Sequence, residues 1–370
     1  MIYLDYAATT PANKEVLDTF VKVSNSYFAN PNSLHSLGSK TNDLITSATK
    51  QISNILNIKE SEIIYTSGAS EANNTVIKNV LNYKNRGNHI ITTNLEHDSI
   101  NEPLRYLEQQ GFIIDYVNLK DGLVDLEHLD SLLTDKTVLV SIAHVNSEIG
   151  LTQDLVEISK VVRKYKKCYF HSDVTQSVGK IDVDFSILDF ASMSAHKVYG
   201  IKGIGILFKK VSINIEPLIH GGKSTNIYRS GTPTTELIVS YAKALRLIFE
   251  NKNINYKKLT ELNDYLVKNL KEINNITLNN NENCIKNIIN ISVDGIKPES
   301  LLHHLEQKEI YISTKTACSK GGASKSVYAF TNDIALADSS LRISLSHLTT
   351  KKEIETFLIE LKNSIEKLTL

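Results

Sequence analysis

"FASMSAHKVYGIKGIGILF" occupies residues 190–208. An apolar run, Phe190–Met193, passes into Ser194, His196 and Lys197. Three glycines, Gly200, Gly203 and Gly205, then lead into a second apolar run, Gly205–Phe208. Short apolar runs bounded by polar and Gly-rich turns read as strands buried on both faces. The lysine stands where the first strand ends. Either it belongs to a surface loop whose charge has no task, or Ser194, His196 and Lys197 together hold one charged cofactor.

The same pattern recurs outward along the chain. Strands are predicted at Glu62–Thr66, His89–Thr93, Ile113–Val117, Val138–Ile142 and Cys168–Ser172, with helices between them at Ser70–Tyr83, Ser99–Gln110 and Leu155–Tyr165. Strand and helix in alternation predict an α/β fold with a mostly parallel central sheet covered on both faces. After Thr235 the pattern changes. Glu236–Glu250 and Lys257–Ile273 read as long helices, Ile288–Val293 and Leu341–Leu345 as strands, and Lys351–Leu368 as an amphipathic closing helix. The Asn-rich stretch "NNITLNNNENCIKN" between them reads as a loop. A smaller α+β domain is therefore expected beyond a boundary near residue 255. The division is 12–255 for the large domain and 1–11 with 256–370 for the small one.

Lys+Arg and Asp+Glu both number 41, so the 370-residue chain has no net field to attract nucleic acid or an anionic membrane. Three cysteines, Cys168, Cys284 and Cys318, are too few for a disulfide scaffold, and no pair has zinc-site spacing, so no metal is expected. The start, MIYLDYAATTP, lacks the basic region and apolar stretch of a signal peptide. A cytoplasmic protein is expected.

Open α/β sheets bind ligands outside the carboxyl ends of their strands. Five of the predicted strands end in polar clusters: TSGAS, TNLEH, HVNSE, SDVTQ and SAHK. In the first, Ala69 and Ser70 would open a helix with free N–H groups, a ready phosphate site; the plainer reading is a helix cap. In the fourth, Asp173 and Gln176 are three apart. A buried carboxylate needs a cation, and a protonated pyridine nitrogen is one; a helix cap with a solvated Gln is the alternative. His97 is suited to stack on a flat ring and move a proton, or it is a satisfied polar residue. Lys197 beside a cofactor and His196 meets the condition for a nucleophilic amine, since burial near another cation favours the neutral form. Ser194 and His196 would both donate to a phosphate. The set suits pyridoxal phosphate.

The chain resembles the cysteine desulfurases of the aminotransferase class V group of pyridoxal-phosphate enzymes. The resemblance runs through LDYAATTP (4–11), NPNSLHSLG (30–38), YTSGASEANN (65–74), EHDS (96–99), HVNSEIG (144–150), HSDVTQSVGK (171–180), SAHKVYGIKGIGIL (194–207), RSGT (229–232), TACS (316–319) and SSLRISLS (339–346). It implies a fold type I architecture and a role for each matching position. Lys197 would hold pyridoxal 5'-phosphate covalently, Asp173 would pair with its pyridine nitrogen, Gln176 with its phenolic oxygen, and His97 would stack on the ring. Ala69, Ser70, Ser194 and His196 would hold the phosphate. Thr232 would reach the phosphate of a neighbouring subunit, which makes the enzyme a homodimer.

Arg342 would bind the substrate carboxylate, a task its planar fork suits; a sheet-edge ion pair is the alternative. Asn146 and Ser147 fall where the family contacts cofactor or substrate. Cys318 would take sulfur from L-cysteine as a persulfide and pass it to an acceptor for iron–sulfur cluster assembly or tRNA thiolation. The Cys318 loop is expected to be mobile and the last helix a docking surface.

Departures from the family pattern are Ser147 for a second Asn, GIKG for GPKG, Lys223 in HGGK, Lys315 and Thr316 before the Ala-Cys pair, and Lys320, Gly321 and Gly322 after it. Two other outcomes stay open: transamination or selenocysteine cleavage on the same scaffold, and a non-catalytic sulfur carrier or assembly partner.

Overall fold

Seven apolar runs become the strands of one sheet: β1 (Ile63–Thr66), β2 (His89–Thr92), β3 (Ile113–Tyr116), β4 (Thr137–Ser141), β5 (Tyr169–Asp173), β6 (Phe190–Ser194) and β7 (Gly205–Lys209). The computed structural model describes residues 1–222, 226–314 and 322–369. Strand order across the sheet is β1-β7-β6-β5-β4-β2-β3. β3, β2, β4, β5 and β6, in that order, pair in parallel, and β7 runs antiparallel to both of its neighbours.

Successive side chains of a strand point to opposite faces, and the two hydrophobic clusters of the sheet divide accordingly. Ile91, Val140, Ala191 and Ile206 pack on one face with Ile45, Leu155 and Ile238 from covering helices. Their neighbours Ile90, Leu139, Phe190 and Leu207 pack on the other with Val76 and Leu104. Each such side chain is at most 1% exposed in the strands, and all but the smaller Ala191 are worth about 1.5–3 kcal/mol apiece. The sheet is therefore fixed from both sides, and its strand ends are held rigidly.

The second cluster of structure begins where the helix Thr235–Glu250 gives way at Asn251 to the helix Lys252–Leu270. It contains an antiparallel sheet of β8 (Ile276–Leu278), β9 (Ile288–Val293) and β10 (Ser340–Ser344), in that order. Leu266, Ile291, Leu301, Ile343 and Phe357 form its core, and Leu4 from the other end of the chain joins them. The helix expected at Lys257–Ile273 thus starts five residues earlier and stops three earlier. The one expected at Ser70–Tyr83 is α-helical over Ala69–Asn79 and ends in a 3-10 turn, Val80–Tyr83.

The Asn-rich stretch departs from expectation. It holds strand β8, and its asparagines bond inward: Asn279 Nδ2 to Asn290 Oδ1 at 2.8 Å, Asn280 Nδ2 to Ile149 O at 2.8 Å and Asn281 Nδ2 to Asp121 O at 2.9 Å. The last two reach loops of the large sheet. Amide side chains satisfy backbone carbonyls there that no strand or helix partners.

Residues 2–13 form a strap across the molecule. Ile2–Tyr3 pairs in parallel with Ile310–Tyr311, and Ser344 N donates to Leu4 O at 2.7 Å. At its other end Thr10 N donates to His196 O, and Asn13 N to Tyr199 O, both at 2.9 Å. Among the described residues no helix is long and apolar enough to cross a membrane.

Candidate active site

Lys197 follows β6 in a short 3-10 turn, Ala195–Lys197. Its Nζ donates to Ala7 O at 2.6 Å and to Ala8 O at 2.7 Å, both on the strap. Gln176 Nε2 donates to the same Ala7 oxygen at 2.9 Å. Beside it, His196 Nδ1 lies 3.1 Å from Thr9 Oγ1. Burial, and then the charges of Lys197, Lys202 and Lys180, push the His196 ring down to about 4, so it stands neutral near pH 7. Tyr199 adopts a left-handed conformation, φ 62°, unusual for an aromatic residue. Thr10 Oγ1 accepts its N–H at 2.8 Å and Ser346 Oγ meets its hydroxyl at 2.5 Å, which holds the turn after Lys197 in place.

Asp173 closes β5. Its Oδ1 accepts from Thr175 N at 2.9 Å and its Oδ2 from Asn73 Nδ2 at 2.8 Å. Asn73 also donates to Ser99 Oγ at 2.8 Å, and Ser99 Oγ lies 2.8 Å from His97 Nδ1. The backbone N–H of Ser99 donates to the same ring nitrogen at 3.1 Å. Nδ1 is therefore an acceptor, and a neutral His97 carries its proton on Nε2. One chain of hydrogen bonds runs from His97 through Ser99 and Asn73 to Asp173.

Ala69 and Ser70 begin the helix Ala69–Asn79, whose cap is Gly68 and offers no side chain to the first-turn N–H groups. Ser194 stands beside this turn: a Cβ built on Gly68 would lie 3.6 Å from Ser194 Oγ. The approach is close from the next strand too, since a Cβ on Gly205 would fall 2.6 Å from Gly68 Cα. Only glycine fits at 205. The turn thus presents N–H groups, a serine hydroxyl and a positive helix end, a donor set that matches a phosphate.

Arg342, on β10, is 1% exposed. Its guanidinium donates to Asp5 Oδ1 at 2.7 Å and to Ser147 O at 3.0 Å, while Nε has no partner. Two of its five N–H groups are engaged, which leaves donors for a further anion. The strap thus carries Asp5 against Arg342 and Ala7 and Ala8 against Lys197. Removing Asp5 leaves a buried cation without its counter-charge. Asp5→Ala is expected to lower the free energy of unfolding by about 3 kcal/mol, and Asp5→Asn by less, read from urea unfolding curves.

Asn146 is buried and fully occupied. Its Nδ2 donates to Leu95 O and Ser326 Oγ, and its Oδ1 accepts from Glu148 N and Ile149 N. All four of its hydrogen-bonding positions are used within the protein, so its side chain shapes the loop and offers nothing to a ligand in this arrangement. Ser147 meets Arg342 through its carbonyl. Thr232 is exposed, three residues beyond Arg229, which pairs with Glu71 at 3.0 Å. Cys318 lies outside the described residues, as do Lys223, Lys315, Thr316, Lys320 and Gly321.

Three contributors escaped the sequence reading. Asn73 is completely buried and joins two of the expected residues. Glu96, also buried, accepts from Thr93 Oγ1 at 2.7 Å and Ala143 N at 3.0 Å, and so ties the loop before His97 to the end of β4. Burial pushes its carboxyl up to about 8. Lys180 Nζ donates to Gln176 Oε1 at 2.9 Å. Their signal was present in EANN, LEHDS and SVGK, but only as residues beside those already singled out.

An anionic partner for a ring nitrogen, an amide donor, an imidazole, a nucleophilic amine and a phosphate cradle lie around the ends of β1, β2, β5 and β6. They fit a phosphorylated pyridine aldehyde. Comparison with known proteins points the same way. The aminotransferase class-V family model matches residues 2–357. A cysteine desulfurase, IscS, of Dictyoglomus turgidum is 39% identical, covering 99% of this chain and 95% of its own length. The mitochondrial cysteine desulfurase of Eremothecium gossypii is 37% identical over 99% of this chain and 76% of its own. Among solved structures, a NifS-like protein superposes with a TM-score of 0.94 at 32% identity, over 99% of this chain and all of that one. A structure described as SspA in complex with cysteine gives a TM-score of 0.82 at 31% identity, over 95% of this chain and all of that one.

Proposed function

Because this chain belongs to the class V aminotransferases, and within them to the cysteine desulfurases, we propose that it converts L-cysteine to L-alanine with pyridoxal 5'-phosphate and leaves the sulfur on Cys318. The observation that carries this reading is the strap. Asp5 holds Arg342 and Ala8 holds Lys197 only three residues apart. Three residues of chain span at most about 11 Å, so a carboxylate-binding guanidinium and a reactive amine converge on a space suited to one small amino acid.

Each residue then has a task. Lys197 would anchor the cofactor, and its amine is placed to carry a proton to and from the substrate α-carbon. Bound there, pyridoxal phosphate supplies an electron sink. Asp173, steadied by Asn73 and Thr175, would hold a proton on the pyridine nitrogen. Gln176 would donate to the phenolic oxygen, and His97 would present a flat ring whose Nε2 can exchange a proton. Ala69, Ser70, Ser194 and His196 hold the phosphate, and Arg342 orients the substrate by its carboxylate.

Cys318 attacks the substrate sulfur. The S–S bond forms as the Cβ–S bond breaks, the electron pair stays with carbon, and protonation there gives the methyl group of alanine. The persulfide then passes to an acceptor serving iron–sulfur cluster assembly or tRNA thiolation in the cytoplasm. Thr232, exposed in one subunit, completes the phosphate site of a second in a homodimer. Exposed Phe28, Leu34 and Leu37 offer apolar surface for such a partner.

The test is alanine formation from L-cysteine by the purified, cofactor-loaded protein, with the new sulfur located by mass spectrometry after alkylation. Alanine in step with a persulfide on Cys318 is the expected result. Pyruvate and free sulfide in place of alanine would overturn the reading.

A further inference from the structure

The Gln176 amide is held at both ends. Lys180 Nζ lies 2.9 Å from Oε1, while Nε2 reaches Ala7 O, the oxygen shared with Lys197. An ammonium has donors only, so it accepts no other end of the amide than the oxygen. Gln176 must then turn its N–H side toward the strap and Lys197. Without Lys180 only the Ala7 carbonyl still selects the nitrogen end, and the amide is held at one end instead of two.

We propose that Lys180 is a positioning residue for the reaction, fixing the Gln176 amide so that it presents a donor to the cofactor. The inference rests on the reading of Lys197 as cofactor anchor and of Gln176 as partner of the ring oxygen. Lys180 is placed for this. It lines, with Lys197, a narrow cleft whose other walls include Tyr199, Asn287 and His347. Burial, and then the charge of Lys197, bring its ammonium down to about 7. Lys180 is partly buried and stands four residues from the amide it holds.

A double-mutant cycle on the loaded protein tests this. Its readout is the pH midpoint at which the visible band of the bound cofactor changes, with kcat/KM for L-cysteine measured alongside. Lys180→Met removes both a donor and a positive charge, so the midpoint should rise by about one unit. In a Gln176→Ala background the same change should have a much smaller effect, because only the direct influence of the charge remains. Lys180→Arg, which keeps donors and charge, should restore most of the parent behaviour. Lys180→Gln, whose amide donates or accepts, should behave as Lys180→Met and serves if the methionine variant does not fold. Equal shifts with and without Gln176 overturn the inference and leave the cofactor reading standing. A parent protein that takes up no cofactor overturns both.

Discussion

Lys197→Ala should form alanine from L-cysteine on the order of 10⁶-fold more slowly than the parent, the scale at which loss of one covalent participant acts. It should also lose the bound cofactor on dialysis and with it the visible band. The structure makes this a clean comparison. Ala7 O keeps a donor in Gln176 when Lys197 is removed, and Ala8 O loses the one Lys197 supplied. One unsatisfied carbonyl costs about 1–3 kcal/mol, so the variant should fold and unfold at a midpoint close to the parent. Lys197→Arg is expected to be as inactive, because a guanidinium never gives up its proton and cannot act as a nucleophile. Absorbance after dialysis and amino-acid analysis of the product check both variants. A coloured, active Lys197→Ala protein would remove the anchor from this residue.

Cys318→Ala should separate the two halves of the reaction. Its visible band and its spectral response to L-cysteine should match the parent, since those depend on Lys197 and Arg342. Alanine formation should fall by on the order of 10³-fold, and no persulfide should be found anywhere on the chain. Neither of the other thiols is equipped to substitute. Cys168 is 2% exposed, and burial, with Asp189 adding to it, pushes its thiol up to about 12. Cys284 is partly buried, its thiol raised by the same cause and directed at Asn281 Oδ1, 3.5 Å away. Alanine that persists in Cys318→Ala would assign the attack on sulfur to another group.

Strand positions were legible because burial on both faces leaves a signal that needs no partner to be read. β4, β6 and β7 are buried at every residue, and their apolar runs stand out alone. Helices that bury one narrow stripe do not. Lys14–Ser26 buries only Val16 and Val23, seven residues apart, and gains its place from packing against the helix Thr235–Glu250. The site divides along the same line. Lys197, Asp173, Gln176 and His97 were visible because strand-end position and side-chain chemistry coincide. What holds them was not. Asn73 reaches Asp173 across 100 residues of sequence, and Arg342 reaches Asp5 across 337. Such pairings are set by topology, and spacing along a single chain carries no trace of them.

The strap also fixes an order of events during synthesis. Leu4 and Asp5 emerge early, yet Ser344 and Arg342, which they bond, follow 340 and 337 residues later. At ribosomal speeds of about 5–20 residues per second, that interval is roughly 20–70 s. Once residue 209 is made the large sheet has all its strands, but the backbone carbonyls that hold Lys197 are not yet anchored at their far end. A chain cut short before β10 would therefore possess the lysine and the phosphate cradle without a fixed place for either substrate end. Those contacts are complete only when the last hundred residues have been made.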